Sequence, residues 1–421
     1  MSHEMIVLLV MLVTFAAGVF WLKVPAGFSL MLASVIGALT AGEGVPVRHL
    51  VEGGFGFLEA IMIIATAMIF MKVMDASGVL GTINYHLIKT LHRWPTLLLV
   101  VMAVFIMFPG MLTGLSSACI LTTGALVAPG LLAMGMPRLA VGSFIAMSAV
   151  FGEVAPPICI PVMIIGGGVD MPYIGFARPL LLASFPIAIA TAVYFRFRYL
   201  AAFDIDQVLP KLSAPVYRKH GPKMFLPLVF VVGYLVAEQL IPEHVPHMGV
   251  PLIFMIGAVL GLFTGEKCRP LRVSREAVRD AMPVVAILVG VGMFLQILTL
   301  TGVRGFLAVN ALLLPESLKY VAALIMPFFG SAYASASVVG VPLVYVFIGK
   351  SEIVVTAALA LMAAMGDLMP PPSLLCAYAS QIVGVDNHFR ILKRSALPIA
   401  AALVVGFVII VYAGEIGRLI L

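Results

Sequence analysis

Charge is what this sequence has least of. Only 10% of its 421 residues are Asp, Glu, Lys or Arg, where a soluble domain carries about 25%. With 62% hydrophobic residues and a mean hydropathy of +1.15, no water-facing surface can be assembled. A soluble globular protein is excluded, and an all-α multi-pass membrane protein is expected. Cysteine is also scarce. Cys119, Cys159, Cys268 and Cys376 form no CxxC pair, so they are expected as small membrane hydrophobes rather than for metal or redox chemistry. The eight histidines fall in loops or at segment ends, with no Cys or acid at metal-ligand spacing, so no transition metal and no organic cofactor is expected. GxSxG, HExxH and P-loop motifs are all missing, which argues against an enzyme. The one enzymatic foothold is Gly366-Asp367, half of the GxGD signature of intramembrane aspartyl proteases. Position 364 is Ala364 rather than Gly, and a second embedded Asp is lacking. The net charge of +6 comes from short loops between apolar segments, a membrane-orientation pattern rather than a nucleic-acid patch. No Lys or Arg precedes the first apolar run and no small-x-small site follows it, so residues 5–21 read as a span and not a cleaved leader.

Further spans of the roughly 20 residues a bilayer demands are placed near 27–41, 55–74, 95–112, 138–151 with 156–168, 179–197, 223–241, 249–264, 282–300, 319–329, 353–365 with 370–384, and 396–417. Residues 80–93 and 304–317 are mixed in polarity and are expected at the interface. The polar stretch 199–222 divides the chain into a first half, 1–198, and a second, 223–421. The positive-inside rule places this connector and the basic loop Lys267, Arg269, Arg272, Arg275, Arg279 in the cytoplasm. Three further crossings would put Arg390, Lys393 and Arg394 on the opposite side, so orientation stays open.

What is abundant is internal repetition. Gly152-Glu153-Val154-Ala155-Pro156-Pro157 and Gly366-Asp367-Leu368-Met369-Pro370-Pro371 each interrupt a long apolar stretch. Proline lacks the N–H and disfavours a helical residue before it, so each pair breaks a helix. Ser77-Gly78-Val79 recurs as Thr301-Gly302-Val303, and Gly168-Val169-Asp170 as Gly384-Val385-Asp386. Between these lie two stretches crowded with small residues, 113–136 and 330–349, read as re-entrant hairpins. They hold Gly114, Ser116, Ser117 and Ala118 in one half and Gly330, Ser331, Ser335 and Ser337 in the other. Matched features in one order signal duplication. Broken helices in corresponding places are the sequence pointer to a secondary transporter.

The physical reading of these elements is an ion and substrate site. Unwound carbonyls and Ser hydroxyls suit Na⁺, while free helix N-terminal amides suit a carboxylate. Gly, Ala and Ser also serve close helix packing, so each single Ser keeps both readings. Glu153 and Asp367 are the acids placed within the membrane, where a charge costs about 2.5–3.5 kcal/mol or more and marks a cation or proton site. Lys72 is expected to snorkel to the interface, with Asp75 as a local partner.

The order of elements resembles the large membrane subunit of the tripartite ATP-independent periplasmic (TRAP) transporters, within the ion-transporter superfamily. The resemblance rests on Val-Pro-Ala-Gly-Phe-Ser-Leu at 24–30, Ser77-Gly78, Gly114 to Ala118, Gly-Leu-Phe-Thr-Gly-Glu at 261–266, and the two Gly-x-x-x-Pro-Pro strings. It implies an elevator-type fold with inverted repeats and Na⁺-driven import of organic acids such as C4-dicarboxylates or sugar acids. It implies two separately encoded partners, a small four-helix membrane subunit and a periplasmic binding protein, at a bacterial inner membrane. It puts Na⁺ at Ser116, Ser117 and the 331–337 stretch. The chain departs from that pattern by carrying acids at Glu153 and Asp367, and in Thr122-Thr123-Gly124-Ala125. A stand-alone carrier, or a cation or proton antiporter of the same superfamily, is the second expectation.

Overall fold

A computed structural model describes residues 2–200, 203–212, 216–241, 244–313, 315–329, 331–370 and 373–421. Among them no strand occurs beyond an isolated bridge between Ile348 and Lys350. The first half contains α1 (His3–Ala16, prolonged by a π turn to Trp21), α2 (Ala26–Thr40), α3 (Val47–Phe55), α4 (Leu58–Ala76), α5 (Val79–Leu91), α6 (Pro95–Thr113), α7 (Ser116–Ala133), α8 (Arg138–Val154), α9 (Ile160–Gly168) and α10 (Ala177–Tyr199). The second contains α11 (Leu226–Leu240), α12 (Val250–Thr264), α13 (Pro270–Leu300), α14 (Val303–Leu312), α15 (Glu316–Ile325, prolonged by a 3₁₀ turn to Phe329), α16 (Ala332–Val346), α17 (Glu352–Ala364), α18 (Leu374–Val383), α19 (Phe389–Val411) and α20 (Ala413–Ile420). Six described helices are long and apolar enough to cross a membrane, or seven if α3 and α4, bent by 44°, form one span. The chain is therefore a multi-pass membrane protein.

Two boundaries differ from the sequence reading. Helix α13 begins at Pro270, not near 282, and carries Arg275, Arg279 and Asp280 on its first turns. Proline at its first position is compatible with a helix start, and the charges do not end the helix: Arg272 and Glu276 pair along it (2.9 Å), and Asp280 pairs with a cation of a neighbouring helix, described below. The final apolar run is split at Tyr412 into α19 and α20.

The small-residue stretches are each the second arm of a hairpin rather than a whole one. Helix α6 returns as α7 through Gly114, whose φ of +69° is a conformation open to glycine. The arms are tied in antiparallel register. The Gly110 N–H donates to Cys119 Sγ (3.0 Å), and Thr123 Oγ1 donates to the Ile106 carbonyl (3.2 Å). Helix α15 returns as α16 in the same way, with Ser335 Oγ donating to the Met326 carbonyl (2.8 Å). Both returning arms begin with one α turn followed by a π turn, Ile120–Gly124 in the first and Ala336–Gly340 in the second. The two hairpins thus share a local backbone irregularity. Each incoming arm is apolar, which is why it reads as an independent span.

The chain ends of the two hairpins lie at opposite ends of the molecule. At one end, Lys219 and His220 of the connector bind Glu266 (2.7 and 3.2 Å) after α12. The Lys219 and His220 hydrogen bonds hold the Glu266 carboxyl below its usual range. At that same end the Val216 N–H donates to Thr82 on α5, Arg138 to the Gly384 carbonyl, and Arg394 to the Tyr199 hydroxyl (3.0 Å). At the other end Arg304 binds Asp170 (2.6 Å), Arg178 binds the Ile420 carbonyl (2.9 Å), and Gly417 abuts Ser351. Hairpin α6–α7 opens at the first end and α15–α16 at the second. The difficulty over Arg390, Lys393 and Arg394 disappears. The 319–329 segment is an arm that goes in and comes back, so among the described residues the crossings between the second basic loop and these residues are α13 and the broken pair α17–α18. All three basic regions share one end.

The two broken helices occupy the core. Every residue of α8 from Ala140 to Val154 is buried, and every residue of α17 from Val354 to Ala364. A helix that is apolar all round is a central one. Outside them, α2, α3 and α13 pack backbone to backbone. A Cβ on Gly292 would strike the Gly53 carbonyl, and one on Gly290 the Gly27 carbonyl. In lipid, such close approach replaces the hydrophobic effect as the source of helix association.

Candidate functional site

Asp367 is the meeting point of three separated segments. It stands in the break between α17 and α18. Its Oδ1 accepts the Ala332 N–H (2.7 Å) at the start of α16, and its Oδ2 accepts the Ser116 hydroxyl (2.9 Å) at the start of α7. Ser331, the residue before α16, makes no capping hydrogen bond of its own, so Asp367 supplies that acceptor from 35 residues on. A carboxylate there is also favoured by the positive end of the α16 dipole. Tyr333 closes the triangle by donating its hydroxyl to the Gly114 carbonyl (3.0 Å). Both hairpin tips are thereby joined to the second break and to each other.

Glu153, in the last turn of α8 beside the first break, is fully buried, and neither carboxyl oxygen has a hydrogen-bond partner among the described residues. Ser116, Tyr333 and Asp367 are its polar neighbours. An ionised carboxylate buried without a partner costs several kcal/mol. Such a group is held only with a cation or a proton.

A cavity of about 300 Å³ opens beside this cluster. Ser116, Ser117, Ser331, Tyr333 and Asp367 form one wall. The opposite wall is α4 and α13, where Lys72 and Asp280 pair at 2.6 Å. Asp280, not Asp75, is the partner of Lys72, because α13 continues helically through the basic stretch and packs against α4. Arg279 also lines the cavity and has no hydrogen-bond or ion-pair partner among the described residues. A second cavity of about 530 Å³, almost wholly apolar, adjoins it through Pro283, Ile287, Ser331 and Leu374. Volumes of this order accept a small organic molecule.

The other residues singled out from the sequence are distributed as follows. Ala118 lines the cavity. Ser335 and Ser337 are buried, with hydroxyls donated to the Met326 and Ala334 carbonyls. Gly366 faces Pro327 and Ser331 of the second hairpin. Pro156 and Pro157 line an apolar crevice shared with α6 and α11. Tyr173 staples that break, donating to the Pro157 carbonyl and accepting from the Cys159 N–H, both at 2.9 Å. Pro370 is exposed. Gly330 and Pro371 lie outside the described residues. Among the described residues no group of three or more His, Cys, Asp or Glu could hold a metal ion.

Sequence reasoning did not find Tyr333, Arg279 or Asp280. Tyr333 occupies the position of Ser117 in the repeat, and that mismatch was the available signal. Asp280 was the acid closing a basic run that also holds Glu276, which is a weak signal until a helix aligns it with Lys72.

The fold and the cluster together define a multi-pass membrane protein built on two broken helices and two hairpins. Residues 2–181 match the family model described as "Tripartite ATP-independent periplasmic transporter, DctM component". The resemblance is thus shown over residues 2–181, which hold the motifs of the first half. Two solved structures are similar in fold. One is the Alcanivorax borkumensis YdaH transporter, at 16% identity and TM-score 0.61, covering 88% of this chain and 89% of that one. The other is Neisseria gonorrhoeae MtrF, described within "a class of antimetabolite efflux pumps", at 14% identity and TM-score 0.62, covering 97% of this chain and 94% of that one. No curated protein matches the chain.

Proposed function

We propose that the chain is the large membrane subunit of a tripartite, ion-coupled importer of organic acids such as C4-dicarboxylates or sugar acids. The observation that carries this is the convergence of both hairpin tips on Asp367 at the edge of a cavity. In this reading the halves are inverted repeats, in keeping with hairpins that open at opposite ends, and they move as an elevator against the α4–α13 wall. Na⁺ is the coupling ion at the tips, with Asp367, Ser116 and Ser117 as its protein ligands. Glu153 takes a proton or shares the cation. Arg279, unpaired at the cavity wall, and the amides of a helix start suit the substrate carboxylate. The basic end faces the cytoplasm of a bacterial inner membrane by the positive-inside rule. The partners are a small four-helix membrane subunit and a periplasmic binding protein.

The test is uptake in proteoliposomes with an inward Na⁺ gradient. Substrate is expected to enter only when the small subunit and the loaded binding protein are both supplied. Uptake by this chain alone would make it a stand-alone carrier, and solute-driven Na⁺ or H⁺ exchange without organic-acid movement would make it an antiporter.

A further inference from the structure

At the basic end two helices start side by side with cations at the wrong end of their dipoles. Arg138 opens α8, and Arg390, Lys393 and Arg394 fill the first two turns of α19. A helix N-terminus carries about half a positive charge, so cations there are unfavourable and anions favourable. Among the described residues no acid compensates on the spot: Asp386, the single carboxylate lining the pocket, forms no ion pair with any of them. The side chains of Arg390 and Lys393 have no hydrogen-bond or ion-pair partner among the described residues, and both are exposed. Arg394 and Arg138 are held in place, by the Tyr199 hydroxyl (3.0 Å) and the Gly384 carbonyl (3.3 Å).

These side chains do not splay over a flat surface. They line two contiguous hollows of about 520 and 410 Å³, sharing Leu139, Arg390 and Arg394. Tyr194 and Tyr199 form an aromatic floor, with the Arg394 guanidinium 5.2 Å from the Tyr199 ring centre. The rim is apolar: Leu397 lines the hollow and is 60% exposed, and Phe389 beside it is 49% exposed. A cationic hollow with tyrosines, opening onto an apolar flank at the level where spans begin, matches a phosphate headgroup with its acyl chains running along α19.

We infer that this hollow binds an anionic phospholipid, with Arg390 and Lys393 on the headgroup phosphate and Leu397 against an acyl chain. Loops placed only to orient the chain need no common hollow and no apolar rim. The site is independent of the transport cavity and of the function proposed for it.

Native mass spectrometry of the full chain in detergent, titrated with cardiolipin or phosphatidylglycerol, tests this. Retention of anionic lipid over phosphatidylcholine is expected. The double variant Arg390→Gln with Lys393→Gln is expected to weaken it about 30-fold, near fivefold for each cation removed. Asp386→Asn, which removes a like charge from the pocket, is expected to tighten it. Lys89→Gln with Arg93→Gln, cations of the same end outside the hollow, is expected to change it less than twofold. Equal loss in both double variants would overturn the site in favour of diffuse charge. Competition by inorganic phosphate at concentrations comparable to the lipid would overturn the lipid in favour of a soluble anion. Equal retention of phosphatidylcholine would overturn both.

Discussion

Replacing Asp367 by Asn is expected to cut ion-driven uptake by at least tenfold while leaving the protein folded. The substitution keeps the geometry: an amide oxygen still accepts the Ala332 N–H, so the start of α16 remains capped. What disappears is the charge at the point where Ser116, Ala332 and the cavity meet. Asp367→Ala removes cap and charge together and is expected to cost a further ~1 kcal/mol of stability. The pair of variants separates two roles. If the Asn form transports at the wild-type rate with unchanged Na⁺ and pH dependence, and only the Ala form fails, Asp367 is a helix cap and the ion site lies elsewhere.

Gly152→Ala is expected to be among the most disruptive single-methyl substitutions in the chain. A Cβ at Gly152 would sit 2.6 Å from the Met107 carbonyl oxygen and 2.7 Å from its Cα. These are backbone atoms of α6, so no side chain can swing away. Overpacking of this kind costs about 1–3 kcal/mol, and more where relief requires a helix to move. Because α8 and α6 both end at the hairpin–break cluster, the displacement would part Ser116 from Asp367 as well. A melting temperature several degrees lower in detergent, with reduced uptake, is the expected result. Gly233→Ala is the matched control, since nothing lies within 4 Å of its added methyl. Equal melting of the two variants would mean that α6 and α8 are not in backbone contact.

The membrane class and the two breaks were legible because each rests on strong local chemistry. Proline pairs stop helices, and a chain with so few charges has only lipid to face. The hairpins were half legible. Gly114 and the serines marked the tips, but α6 and α15 carry the same apolar composition as true spans, and composition does not say whether a helix leaves by the side it entered. That ambiguity also made the crossing count fail at Arg390. The ion pair between Lys72 and Asp280 was illegible for a different reason. Its members are far apart in the chain, and the run around Asp280 is basic enough to look like a loop until α13 is seen to continue through it. The role of Tyr173 in fastening the first break is likewise a tertiary fact, since only the fold brings its hydroxyl to Pro157 and Cys159.

The formal charges around the cavity have a bearing on stoichiometry. Lys72 and Arg279 are basic and Asp280 and Asp367 acidic, so with all four ionised the formal charges lining the chamber cancel. A guest bearing two negative charges would upset that balance in a medium of low polarity, where uncompensated charge is dear. Each carboxylate would have to arrive escorted by its own monovalent cation, and a dianion would therefore cross with two or more.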